Sequence, residues 1–325
     1  MSCRRGALVL GAVGMLLLSG CSIAGRGHDA TADRAGGSAS VVRSQDDPSE
    51  RPVARREWDR ALGLLGAHQV YVMAGDDVLR AGLGVIGLEG LRPAPRNLQP
   101  LALSNVAGNG ARVVIGGVGD ESDPYTDGVY EVADHSLLQV ARAGSGLYAP
   151  GVGPDGSLSA VRPRAGAFVL DGESGRWSHV PASGKLTLSG VAMSVAGQGF
   201  AVTHVNSPGS TLVTFLPDGR RRNLASIPCM NLVLLSPDGQ SLATTLPAST
   251  KKRCGGAHVL TTGGATVADV PDGWQPLAWG EDSHHLLVTR SRSLAVMDVD
   301  SGGLTDPIPL STRVWMAAPV WGRGR

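Results

Sequence analysis

The residue types that do chemistry are present in this chain, but their spacing seldom suits a reaction. No G-x-S-x-G, H-E-x-x-H, P-loop, EF-hand or C-x-x-C pattern occurs. His135, His179, His204 and His258 are widely separated, and His284-His285 is the one adjacent pair. Successive residues of a strand face opposite ways, which argues against a metal shared by that pair. Asp120-Glu121-Ser122-Asp123-Pro124-Tyr125-Thr126-Asp127 is rich enough in oxygen to suggest Ca²⁺, yet its spacing matches no calcium loop and it reads as a solvated acidic turn. Ala182-Ser183-Gly184-Lys185 lacks the glycine framework of a phosphate loop and reads as a turn. No catalytic residue, metal or cofactor is therefore expected. The reactive side chains that remain are cysteines.

Cys21 follows a positive n-region, Arg4-Arg5, and an apolar run from Ala7 to Leu18. That run is too short to span about 30 Å of hydrocarbon. The junction Leu18-Ser19-Gly20-Cys21 resembles the bacterial lipoprotein box. The resemblance implies cleavage before Cys21, acylation of its thiol (palmitate or a related chain) and attachment to the extracytoplasmic face of the cell membrane. More than one acyl chain is needed for stable anchoring. Residues 1–20 are then a signal peptide, and 21–56 a lipidated tether rich in Gly, Ala, Ser, Asp and Arg. Such a tether reaches roughly 30–35 Å. Trp58, Leu62 and Leu65 stand at helical spacing just beyond it.

The elements that must carry the rest follow from composition and repetition. Glycine numbers 46 of 325 residues, while charged residues are only 18% and aromatic residues 4%. Ample apolar content with a net charge of +1 excludes a disordered chain. Scarce lysine and pervasive glycine exclude a coiled coil, and no G-x-y period supports collagen. Removing Arg4 and Arg5 leaves 27 basic against 28 acidic residues, a balance that gives no reason to expect nucleic-acid binding.

From His68 to Arg325, 258 residues repeat with a period near 43. Marks at Asn109, Pro154, Ala196, Asp238 and Asp282 are spaced 45, 42, 42 and 44, and Trp279-Gly280 recurs as Trp321-Gly322 after 42. Each unit holds an apolar run, a tight turn such as Asn109-Gly110 or Pro154-Asp155-Gly156, and further strand-like runs. Four strands per 43 residues predict β-propeller blades, with two-residue hairpins at the Asp-Gly and Asn-Gly turns. The expected fold is all-β: a six-bladed propeller over 57–325, monomeric. Its closing blade is split, with the inner strand from Val314–Trp321 and the others from the N-terminal runs Gln69–Met73 and Leu83–Leu88.

Ser236-Pro237-Asp238-Gly239-Gln240-Ser241-Leu242-Ala243 resembles the repeat of TolB-type, WD40-like propellers, and Trp279-Gly280-Glu281-Asp282 is a degraded copy. The likeness covers about 100–311. The chain also resembles the propeller part of the LpqB lipoprotein family of high-GC bacteria, which implies one further reading, a regulator of an envelope sensor kinase.

Aligned on this repeat, Cys229 begins the inner strand of one unit and Cys254 lies in the loop leaving its second strand. Antiparallel pairing brings those places together, which predicts a disulfide; two free thiols or a zinc pair are the alternatives. The loops between second and third strands all project from one face. They carry Arg162 and Arg164, then Lys251, Lys252 and Arg253, then Arg290 and Arg292. The other units place Asp120, Glu121, Asp123 and Asp127, and Asp76 and Asp77, on the same face. Either these are ordinary solvated loops, or the face docks an anionic envelope polymer or a charged protein. The function expected is a non-enzymatic binding module for a protein or envelope component. The rival is an enzyme or small-ligand binder acting on an envelope glycan at the central channel.

Overall fold

The structure is a computed structural model. It describes residues 51–76, 81–87, 90–93, 105–108, 112–116, 129–133, 136–141, 146–153, 156–162, 164–171, 174–184, 186–194, 196–205, 209–227, 233–244 and 256–321.

Helix α1 (Arg51–Leu65) comes first. It is followed by β1 (Ala67–Ala74), β2 (Gly82–Gly87) and β3 (Gly90–Pro93). Five blades of four consecutive strands then succeed one another. The first contains β4 (Asn105–Gly108), β5 (Val113–Gly116), β6 (Val129–Ala133) and β7 (Ser136–Ala141). The second contains β8 (Tyr148–Val152), β9 (Leu158–Arg162), β10 (Gly166–Leu170) and β11 (Trp177–His179). The third is β12 (Leu188–Met193), β13 (Gly199–Val205), β14 (Gly209–Phe215) and β15 (Arg221–Ile227). The fourth is β16 (Val233–Leu235), β17 (Ser241–Thr244), β18 (His258–Thr261) and β19 (Thr266–Asp269). The fifth is β20 (Gln275–Trp279), β21 (His285–Arg290), β22 (Ser293–Asp298) and β23 (Ile308–Pro309). The last strand, β24 (Val314–Trp321), pairs antiparallel with β1, giving a sheet in the order β24-β1-β2-β3.

Continuous blades thus number five rather than the six expected from the period. The remaining four-stranded sheet is a composite, because no single stretch of chain supplies all its strands. Its make-up is the expected split: β24 is its inner strand and β1 to β3 come from the other end of the chain. Inner strands touch in a cycle, β24 to β4, β8, β12, β16, β20 and back to β24.

Central strands are apolar on both faces because each sheet is stacked between two others. Val113, Val114 and Ile115 of β5 are all buried, as are Leu286, Leu287 and Val288 of β21. Apolar clusters fill the spaces between neighbouring sheets. Val114 and Val129 meet Leu158 and Ala160 at one such junction, and Ala192, Phe200 and Val202 meet Leu242 and Leu260 at another. Tryptophan indoles add hydrogen bonds across the joints: Trp279 Nε1 donates to the Leu234 carbonyl at 2.8 Å, and Trp177 Nε1 to the Val140 carbonyl at 3.0 Å.

The hairpins differ from the expected two-residue form. Gly239 N–H donates to the Ser236 carbonyl at 2.9 Å and Ser236 N–H to the Ser241 carbonyl at 2.8 Å. Pro237 presets a type I turn, and Gly239, at φ 72°, takes the left-handed step that returns the chain to the sheet. Ser236 Oγ accepts the Ser241 N–H and donates to Asp238 Oδ1, which also accepts the Gln240 N–H, so the tetrapeptide ties its own loop. Ser283, at φ 64°, occupies the corresponding step in the degraded copy.

Helix α1 buries Trp58, Ala61, Leu62 and Leu65, the i, i+3, i+4, i+7 face that the spacing predicts. They pack with Val70, Val72, Leu277, Leu287, Val296 and Ala317, at the junction between the fifth blade and the composite sheet. The helix ends at Gly66 (φ 64°). The Leu65 carbonyl accepts the Glu281 N–H at 3.0 Å, tying the helix end to the β20–β21 turn. Its first residues fall within the stretch read as tether.

Candidate functional site

The face formed by second-to-third-strand loops also receives the loops that enter the inner strands. In the composite sheet this meeting is direct: Gly75 N–H donates to the Arg313 carbonyl at 3.0 Å, and Trp315 Nε1 donates to the Gly75 carbonyl at 3.1 Å. The Arg313 guanidinium lies 5.9 Å from the Trp315 ring centroid.

Of the residues expected on this face, Arg162, Arg164, Arg290, Arg292 and Asp76 are described. Lys251, Lys252, Arg253, Asp120, Glu121, Asp123, Asp127 and Asp77 lie outside the described residues, as do Cys21, Cys229, Cys254 and His135. No disulfide occurs among the described residues. Arg164 sits at φ 58° in the β9–β10 turn. Arg162 ends β9 and is half-buried, with its guanidinium 4.7 Å from the Phe168 ring centroid. Arg290 ends β21, exposed, 4.8 Å from the centroid of buried Trp274. Arg292 meets Asp76 at 2.9 Å. That pair joins a member of the expected cationic sector to a member of the anionic one, so the two sectors abut here rather than standing apart.

The described histidines do not converge. His258 Nδ1 meets Asp269 at 2.6 Å across β18 and β19, and His284 Nδ1 meets Asp300 at 2.9 Å. His285 Nδ1 meets Asp282 at 2.5 Å. Burial opposes ionisation of Asp282, but hydrogen bonds from the His285 ring and from the His284 and His285 N–H groups outweigh it and hold this carboxyl below its usual range. The adjacent pair divides between two carboxylates. His179 packs against Phe168 with the rings tilted at 56° and their centroids 5.2 Å apart, and its Nε2 lies 2.8 Å from the Ala165 carbonyl and 3.3 Å from Ser183 Oγ. Ser183 caps the β9–β10 turn, accepting the Ala167 N–H at 2.8 Å. Pro181–Ser183 form one turn of 3-10 helix closed by Gly184, and Lys185 lies outside the described residues. Among the described residues no three His, Cys, Asp or Glu side chains gather as metal ligands.

Sequence reasoning missed one bidentate charge pair. Arg112 clasps Glu131 through Nε at 2.7 Å and Nη2 at 2.8 Å, while Nη1 donates to the Gly156 carbonyl of the next blade at 2.8 Å. The Glu131 hydrogen bonds raise the Arg112 pKa further, against the opposing effect of burial. The signal was the diagonal of Arg112 beside Val114, which pairs with Glu131. It becomes visible only once the strand register is known.

No protein-family model and no curated protein sequence matches the chain. Among solved structures it is similar to TolB from Acinetobacter baumannii, at TM-score 0.51 and 11% identity, covering 84% of this chain and 72% of that one. It is also similar to XC5397, a gluconolactonase from Xanthomonas campestris, at TM-score 0.47 and 16% identity over 64% of this chain and 76% of that one. A third likeness is to hydrazine synthase of Kuenenia stuttgartiensis, at TM-score 0.46 and 14% identity, over 70% of this chain and 80% of that one. Identities this low speak to architecture and not to activity. The chain is a TolB-like β-propeller in fold.

Proposed function

We propose that this chain is a non-enzymatic binding module held on the extracytoplasmic face of the cell membrane by acylated Cys21. Its composite sheet acts as the closing, sixth blade, and its loop face engages an envelope component. The observation that carries this reading is the arrangement of charge. Described imidazoles pair one to one with carboxylates in the fourth and fifth blades, whereas arginines on the loop face are held against aromatic rings. Such a surface suits recognition better than acid–base chemistry.

Within this reading Cys229 and Cys254 are bridged. Val233 of β16 pairs with Thr244 of β17, so the start of β16 and the end of β17 share one end of the blade. A bridge closing this span contributes on the order of 3 kcal/mol.

The test compares membrane fractions of cells carrying the wild-type chain, Cys21→Ala, and the double variant Arg162→Ala/Arg290→Ala. The reading expects Cys21→Ala to leave the membrane. It also expects the double variant to remain membrane-bound while losing the envelope material that cross-links to wild type. Unchanged membrane association of Cys21→Ala refutes the anchor. Equal cross-linking by all membrane-bound forms refutes the loop face.

A further inference from the structure

Arg162 and Arg290 occupy the same place in two different blades. Val152 pairs with Leu158 beside one hairpin turn, and Trp279 with Leu286 beside the other; each arginine lies four residues further along its strand. Six residues before Val152 and before Trp279 stand Gly146 and Gly273, both with positive φ, 67° and 80°. A Cβ built on Gly146 would lie 3.5 Å from Arg162 Cγ and Nε, and one on Gly273 would lie 3.3 Å from Arg290 Cδ. Each glycine is followed by a buried apolar residue, Leu147 or Trp274. The chain thus places an arginine against a bare glycine backbone at the entrance to an inner strand twice, each over an aromatic ring, Phe168 of β10 in one copy and Trp274 in the other.

The two copies lie in opposite blades of the ring. In the cycle of inner strands β8 and β20 are three steps apart in either direction, so the blades that carry the two arginines are opposite members of the ring. Among the described residues neither guanidinium has a carboxylate partner, whereas the nearby Arg292 meets Asp76.

We propose that these two arginines form a two-point receptor for a carboxylate-bearing glycan, a uronate polymer lying across the channel mouth. The proposal rests on the binding-module reading and names its ligand. A guanidinium held over an aromatic ring can offer its outer N–H groups to a planar carboxylate. Two isolated single charges suit a ligand with one carboxylate per sugar, whereas a denser phosphate polymer calls for clustered cations. A protein partner would require an apolar anchor at the centre of its interface. The large exposed apolar side chains among the described residues are Leu138 (54%) and Val267 (46%), on outer strands β7 and β19 and away from this face. A polymer with many equivalent carboxylates engages both arginines without matching a single distance.

The test is titration of the full chain, in detergent micelles and at low salt, with polygalacturonate, monomeric galacturonate, polyphosphate and neutral dextran. Two linked contacts predict polymer binding about 100-fold tighter than monomer binding. Arg162→Ala and Arg290→Ala should each weaken polymer binding by about tenfold or more, and Arg290→Lys should not restore it, because an ammonium lacks the fork. Arg290 is exposed, so its variants carry the test if Arg162→Ala does not fold. Arg221→Ala/Arg222→Ala, removing exposed arginines of outer strand β15, should bind as wild type. The proposal is overturned by absence of polygalacturonate binding, by tighter binding of polyphosphate, by full activity of Arg290→Lys, or by equal loss in the β15 control. If polygalacturonate fails but cross-linking of envelope material still depends on both arginines, the binding module stands and the uronate ligand falls.

Discussion

Helix α1 is the only helix of regular length among the described residues, and its removal from the fold should be costly. Trp58 is only 4% exposed and packs where the fifth blade meets the composite sheet. Trp58→Ala takes away roughly 150 Å² of buried apolar area, about 4 kcal/mol at 25 cal/mol per Å². Measured aromatic-to-alanine changes in cores fall in the same range, about 3–5 kcal/mol. A domain of ordinary stability has only about 5–15 kcal/mol in total, so the variant should lose a large fraction of it. Leu62→Ala, one turn further along the same face, should cost about 2–5 kcal/mol. The assay is equilibrium urea unfolding followed by tryptophan fluorescence and by far-ultraviolet circular dichroism, with Leu138→Ala as an exposed control. A joint shift of both probes with an unchanged m-value is the expected result, because α1 is packed on the sheets that close the ring. A Trp58→Ala cost below about 1 kcal/mol would refute the packing role. So would a separate early transition, which would show that the helix undocks while the propeller stays intact.

Three further outcomes follow from single contacts. Gly166 has φ 97°, and a Cβ there would fall 2.6 Å from the Gly184 carbonyl oxygen and closer still to Ser183 Oγ; Gly166→Ala should lower the melting temperature by several degrees, on the order of 1–3 kcal/mol. Gly175→Ala, also at positive φ but in open space, should cost less in the same melt. Glu131→Gln leaves Arg112 without its carboxylate and should destabilise by about 1–3 kcal/mol in urea unfolding, with Arg112→Lys losing the bond to the Gly156 carbonyl as well. Because the Asp282 carboxyl titrates lower when folded than when unfolded, its stabilising effect is complete above the ordinary carboxylate range and disappears as pH falls through the folded value. Melting curves from pH 6 to pH 2 should therefore fall less steeply for Asp282→Asn than for wild type, and parallel curves would contradict the assignment.

Much of the architecture was legible in local chemistry. A turn built from Ser, Pro, Asp and Gly returns a strand on itself whatever surrounds it, and its recurrence announced hairpins at regular intervals. Trp58, Leu62 and Leu65 announced a helical face by spacing alone. The two-residue hairpin expectation was too simple, because Pro237 favours a type I turn and shifts the left-handed step to Gly239. Which charges would meet was not legible. Arg292 lies more than two hundred residues from Asp76, and only closure of the composite sheet brings them to 2.9 Å.

The amino-acid order by itself determined the period, the turns and the apolar strands, because those depend on residues within a few positions of one another. Tertiary structure alone decided what the strands face. Both sides of β5 and β21 are buried only because sheets stack on either side of them, and α1 has a purpose only where the last blade meets the chain's first strands. The equivalence of Arg162 and Arg290 belongs to that second class. They are separated by 128 positions in the chain, and pairing register together with ring order sets them in opposite blades, since strand partnership is fixed by long-range closure rather than by neighbouring residues.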